Sequence, residues 1–81
     1  MLAYIGLRSN LKGPRKQIEK ALRALSEAKE TTLLSVSSFY QSKPLLDMPG
    51  PNYLNVVCKI ETDLSALDLL NFCQEIENNV P

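Results

Sequence analysis

Residues 53–62 read YLNVVCKIET. Leu54, Val56, Cys58 and Ile60 alternate with Tyr53, Asn55, Val57, Lys59 and Glu61. Successive side chains of a strand point to opposite faces, so this stretch predicts a β-strand with the first set on the core. Tyr53 and Asn55 then share the other face with Val57. Asn is a poor strand former, so its place here asks for a reason.

Upstream, residues 42–52 hold Pro44, Pro49, Gly50 and Pro51. Prolines at that density forbid regular structure and predict a loop that runs straight into the strand. Before it, Thr31–Tyr40 is rich in β-branched and aromatic residues and reads as another strand. Downstream, Ser65 and Asp68 have the spacing of a helix capping box. A helix follows, with Ala66, Leu69, Leu70, Cys73 and Ile76 as its apolar stripe. At the start of the chain, Leu2–Leu7 is short and apolar, a strand. Pro14 suits a first helical position and opens a helix over 14–27. Its Ile18, Ala21, Leu22 and Leu25 recur at helical spacing, with Glu19 and Arg23 on the wet side. The order β-α-β-β-α is a ferredoxin-like α/β (α+β) layout with its last core strand missing. That strand would pair with the first, so Leu2–Leu7 is expected as a bare apolar edge.

The 81 residues make one domain, 1–81. Hydrophobic residues at 44% and charged residues at 22% exclude a disordered polyelectrolyte and fit a soluble globular chain. Lys and Arg number 9 against 9 Asp and Glu, without a basic run, so no nucleic-acid partner is expected. No apolar stretch reaches the roughly 18 residues of a transmembrane helix, and no signal peptide is visible, so no membrane partner is expected. Cys58 and Cys73 lack CxxC spacing and there is no His, which argues against a soft-ligand metal site. They read as two buried thiols of a cytoplasmic protein. Phosphate loops of the Walker kind, nucleophile elbows and Cys–His or Ser–His pairs are all missing from 1–81.

Four stretches are similar to the 6-hydroxymethyl-7,8-dihydropterin pyrophosphokinases of folate biosynthesis. They are AYIGLRSNL at 3–11 with Pro14 beyond it, VSSFYQSKPL at 36–45, PNYLNVVCKIET at 51–62 and LDLLNFCQEIE at 67–77. Together they cover nearly all of the chain in the family's order. The resemblance implies transfer of diphosphate from ATP to the hydroxymethyl group of the pterin, giving AMP, with Mg2+. It implies that Tyr53 stacks on the pterin and that Asn55 hydrogen-bonds its edge, where an amide can offer both a donor and an acceptor. Ser42, Lys43 and Leu45 match the loop that reads the pterin through backbone groups. Gln74 and Glu77 match helix residues near ATP; a plain exposed helix face is their other reading.

Two departures stand out. Arg8 occupies a position where the family has Gly, and a tight or left-handed turn there would strain it; its side chain could instead reach a phosphate. The family's Arg-rich segment, Trp-Gly-x-Arg run and metal-binding Asp-x-Asp have no counterpart in 1–81. The chain therefore reads as the N-terminal part of a larger pyrophosphokinase domain, with no catalytic or metal-binding residue of its own and inactive alone. The alternative is a non-catalytic remnant that self-associates, or binds a partner, through Leu2–Leu7.

Overall fold

The computed structural model describes residues 1–10, 12–44 and 49–79, with side chains of the last helix given as far as Ile76. The elements are β1 (Leu2–Ser9), α1 (Pro14–Glu27), β2 (Thr31–Val36), β3 (Tyr40–Ser42), β4 (Tyr53–Thr62) and α2 (Ala66–Asn79). β4 is the hub of the sheet, with β1 antiparallel on one side and β2 and β3 antiparallel on the other. The β1-β4-β2 order is compatible with a ferredoxin-like arrangement.

The expected alternation of β4 holds at Val56, Cys58 and Ile60, while Leu54, expected with them, is only half-buried. Val56, Cys58 and Ile60 are buried under the helices, with Ala3, Ile5 and Leu7 of β1 packed beside them. α1 lays Ile18, Ala21 and Leu25 on that layer. Gly13 precedes it with φ at 70°, a left-handed conformation that only Gly adopts cheaply, and Pro14 follows in the first turn. α2 lies against α1 and adds Ile76, Leu69 and Phe72 to the same core. Its start is capped as expected, by the Asp68 N–H donating to Ser65 Oγ at 3.1 Å.

Several expectations need correction. The first strand runs on through Ser9 rather than stopping at Leu7. Arg8 therefore lies in extended backbone, in register with Asn55, and the left-handed position falls on Gly13 instead. The Thr31–Tyr40 strand is interrupted. Leu33 pairs with Ile60 and Ser35 with Lys59, so Leu34 is an extra, bulged residue, 49% exposed. Pairing stops after Val36, where the Ser37 side chain takes the place of a backbone group. The Ser37 N–H donates to Val57 O at 2.8 Å, while Val57 N–H donates to Ser37 Oγ at 2.9 Å. The strand resumes as β3, so Ser42 belongs to the sheet and not to the loop. On α2, Ala66 and Leu70 are exposed; the inward side is Leu69, Phe72, Cys73 and Ile76. Cys73 is only half-buried, whereas Cys58 is fully buried.

Among the described residues β1 has a strand partner on one side only, and its Leu2 and Tyr4 are exposed. No helix among the described residues is long and apolar enough to cross a membrane.

Candidate functional site

β3, the start of β4 and the end of β1 meet at one end of the sheet. The register sets Arg8 and Tyr40 on either side of Asn55, and Ser42 beside Tyr53. Because Tyr53 and Asn55 are two residues apart on β4, both side chains stand on the face away from the helices. The short β3 covers Asn55 until it is 8% exposed, while Tyr53 stays half-buried.

A buried amide must be satisfied, and this one is. Asn55 Nδ2 donates to Ser42 Oγ at 2.9 Å and to the carbonyl oxygens of Tyr40 and Tyr53 at 3.2 Å each. Carbonyl oxygens only accept, so the amide has one allowed orientation, nitrogen toward β3. The donors are thus committed to the protein, and Oδ1 is what the side chain can offer a ligand. This explains an Asn inside a strand: it locks β3 onto β4. It also narrows the sequence expectation that the amide would supply both kinds of hydrogen bond.

Arg8 lays its guanidinium over the Tyr53 ring, with Cζ 4.8 Å from the ring centroid. Such a contact holds the ring at a fixed tilt and stabilises by about 0.5–1 kcal/mol at an exposed site. A cavity of about 510 Å³ opens on the helix side of the sheet between β1, α1 and α2, and Arg8, Tyr40 and Asn55 only border it, since the Asn55 side chain stands on the other face. Gln17 of α1 lines it too, and its Oε1 is buried without a hydrogen-bond partner among the described residues.

The structure thus brings Ser42, Tyr53 and Asn55 together. Lys43 follows at the end of β3, exposed. Leu45 lies outside the described residues, as does the side chain of Glu77, which is helical. Gln74 is exposed on α2, next to Cys73 at the cavity; no hydrogen bond among those described joins it to Tyr53 or Asn55. Under the sheet, burial pushes the Cys58 thiol up from its usual value, and the nearby Cys73 adds to the effect. No three His, Cys, Asp or Glu among the described residues converge where a metal ion could sit.

The start of the chain carries one further signal. Residues 1–18 contain Arg8, Lys12, Arg15 and Lys16 and no Asp or Glu. The fold gathers that cationic stretch at the same end of the molecule as Tyr53, because β1 ends and α1 begins there. Acids collect at the far end, where Glu61 binds the N-terminal ammonium at 2.9 Å and the Asp63 N–H donates to Glu30 O.

The family model described as 7,8-dihydro-6-hydroxymethylpterin-pyrophosphokinase matches residues 4–81. The chain is 53% identical over 76 residues to the 2-amino-4-hydroxy-6-hydroxymethyldihydropteridine pyrophosphokinase of Haemophilus influenzae, covering 94% of this chain and 48% of that protein. It is 45% identical over 74 residues to the protein of the same name from Pseudomonas aeruginosa, covering 91% of this chain and 46% of that one. A folic acid synthesis protein of Schizosaccharomyces pombe is 38% identical over 79 residues, which cover 98% of this chain and 11% of that much longer protein. The chain spans about half the length of the two bacterial relatives.

Proposed function

Because the chain belongs to the 7,8-dihydro-6-hydroxymethylpterin-pyrophosphokinase family, we propose that it is the pterin-binding part of a cytoplasmic enzyme of folate biosynthesis. That enzyme transfers diphosphate from ATP to 6-hydroxymethyl-7,8-dihydropterin and releases AMP. The observation that carries the reading is the pairing of Tyr53 and Asn55 on one sheet face, with the amide oriented by β3. A flat heterocycle stacks on the Tyr53 ring and donates an N–H to Asn55 Oδ1. Ser42 acts through Asn55, whose amide it holds, and Lys43 and Leu45 continue the same wall of the site. Gln74 and Glu77 lie on the nucleotide side. Residues 1–81 belong to a longer pyrophosphokinase domain, and the metal ligands and arginines that neutralise the transferring phosphates come from outside this stretch.

Two measurements test this. Titration of the native protein with 6-hydroxymethylpterin, followed by pterin fluorescence, gives saturable binding that Tyr53→Ala weakens by at least about tenfold, the scale of losing one aromatic stack. Unchanged affinity in Tyr53→Ala refutes the site. The isolated residues 1–81 form no AMP from ATP and the pterin; turnover that scales with this chain refutes the division of labour.

A further inference from the structure

Arg8 is exposed, stands opposite Asn55 across the β1–β4 pair and is stacked on Tyr53. Stacking uses the π face of a guanidinium. Its five N–H donors lie in the plane, around the rim, and remain available to an anion. An arginine laid on a ring is therefore both oriented and still able to bind phosphate through a paired, charge-assisted contact.

The surroundings favour the same chemistry. Lys12, Arg15 and Lys16 follow Arg8 with no acid before Glu19. Arg15 is held over the Phe39 ring at 4.6 Å, and Glu19 is 3.7 Å from it. Lys43 stands one residue beyond Ser42, which pairs with Tyr53. The first turn of α1 has no acidic residue, so its amide dipoles are not neutralised from within the helix. The end of β1 and the first turn of α1 thus carry only positive charges at the end of the sheet that holds Tyr53.

We propose that Arg8 is the residue with which this site reads charge on its heterocycle. The site takes a flat ring bearing a phosphate ester, with the ring on the Tyr53 face that the guanidinium leaves open and the ester on the rim of the Arg8 guanidinium. This rests on the pterin reading of the site. Its consequence is a preference for the diphosphorylated pterin over the free hydroxymethyl compound, so product is held more tightly than substrate. Phosphate is also carried by the nucleotide, and the test separates the two sources.

The experiment is a set of titrations on the native protein with three probes: 6-hydroxymethylpterin, its diphosphate ester and ATP. Arg8→Ala is compared with wild type, and Arg8→Lys keeps the charge without the planar rim. In Arg8→Ala the diphosphate ester loses about tenfold or more in affinity, the scale of a charge-assisted bond. The free alcohol and ATP each change by less than about threefold. Arg8→Lys recovers part of the loss, and the ester's salt dependence flattens in Arg8→Ala but not in Arg8→Lys. Equal losses for alcohol and ester mean that Arg8 only steadies the Tyr53 ring, and overturn the proposal. Loss confined to ATP overturns it as well, assigning Arg8 to the nucleotide. A wild-type protein that binds neither pterin refutes the pterin site itself, an outcome distinct from pterin binding with no Arg8-dependent preference.

Discussion

Replacing Asn55 by Asp changes one NH2 group to oxygen in a side chain that is 8% exposed. The nitrogen it removes faces two carbonyl oxygens at 3.2 Å and the Ser42 hydroxyl at 2.9 Å. A protonated carboxyl keeps one donor. An ionised one keeps none, and it stands against two acceptors with little water to screen it. Two lost donors contribute about 1 kcal/mol each, and desolvating the carboxylate adds to that. The Arg8 guanidinium, close by on the neighbouring strand, offsets part of it, but Arg8 is exposed and solvent screens the attraction. A net loss of about 2–4 kcal/mol at neutral pH results.

The loss depends on pH in a fixed direction. Burial and the facing carbonyls raise the introduced carboxyl above its unfolded value of about 3.9. A raised folded-state value means stability that is present below the unfolded value and is lost as pH rises through the folded one. Asn55→Asp should therefore melt close to wild type near pH 3.5 and well below it at pH 7.5. In a domain of this size the gap is roughly 4–8 °C for each kcal/mol. Paired thermal melts by circular dichroism at the two pH values measure it. A variant that matches wild type at pH 7.5, or suffers more at the acid end, refutes the amide orientation. The rule that a ligand must bring an N–H to Asn55 would fall with it.

Three further outcomes are expected. Thr62 is 1% exposed and its Oγ1 donates to Glu30 O, accepts from the Leu64 N–H and meets Thr31 Oγ1 at 2.8 Å; Thr62→Val strands all three and destabilises by about 1–3 kcal/mol in denaturant titrations, and a loss under about 0.5 kcal/mol contradicts the network. Cys58, with its thiol pushed up by burial, resists alkylation at pH 8 in the folded protein and reacts once denatured, as mass spectrometry of the labelled chain would show; prompt native labelling at Cys58 contradicts its burial. The isolated chain self-associates through β1, and Leu2→Lys with Tyr4→Lys, charges on an edge strand, reduces the association seen by sedimentation; a wild-type chain that stays monomeric at high concentration ends that expectation.

Where one periodicity dominated, the fold was legible. β4 and α1 lie where alternation and helical spacing put them, because one face of each is apolar and the other is not. α2 was harder. Residues 66–73 read ALDLLNFC, apolar around more than one side, so the 66/69/70/73/76 and 69/72/73/76 stripes both satisfy helical spacing. Tertiary packing decided, turning Phe72 inward and leaving Leu70 in water. The bulge at Leu34 had no signature either, since an added residue in an edge strand is set by the partner's register and not by its own composition.

For the site, period two was enough to place Tyr53 and Asn55 side by side. What it could not supply was direction. Which end of the Asn55 amide faces a ligand depends on Tyr40 and Ser42, brought across from a strand 13 to 15 residues away. Whether Arg8 strains a turn or roofs a ring depends on β1 running two residues further than its apolar core suggests. Both answers come from pairing on β4. The same short β3 that completes the sheet edge consumes the donors of Asn55, and the same extension of β1 delivers the guanidinium to Tyr53. A ligand of this site therefore meets an acceptor, an aromatic face and a cationic rim. The polarity of that set follows from the register of three strands and not from any one motif.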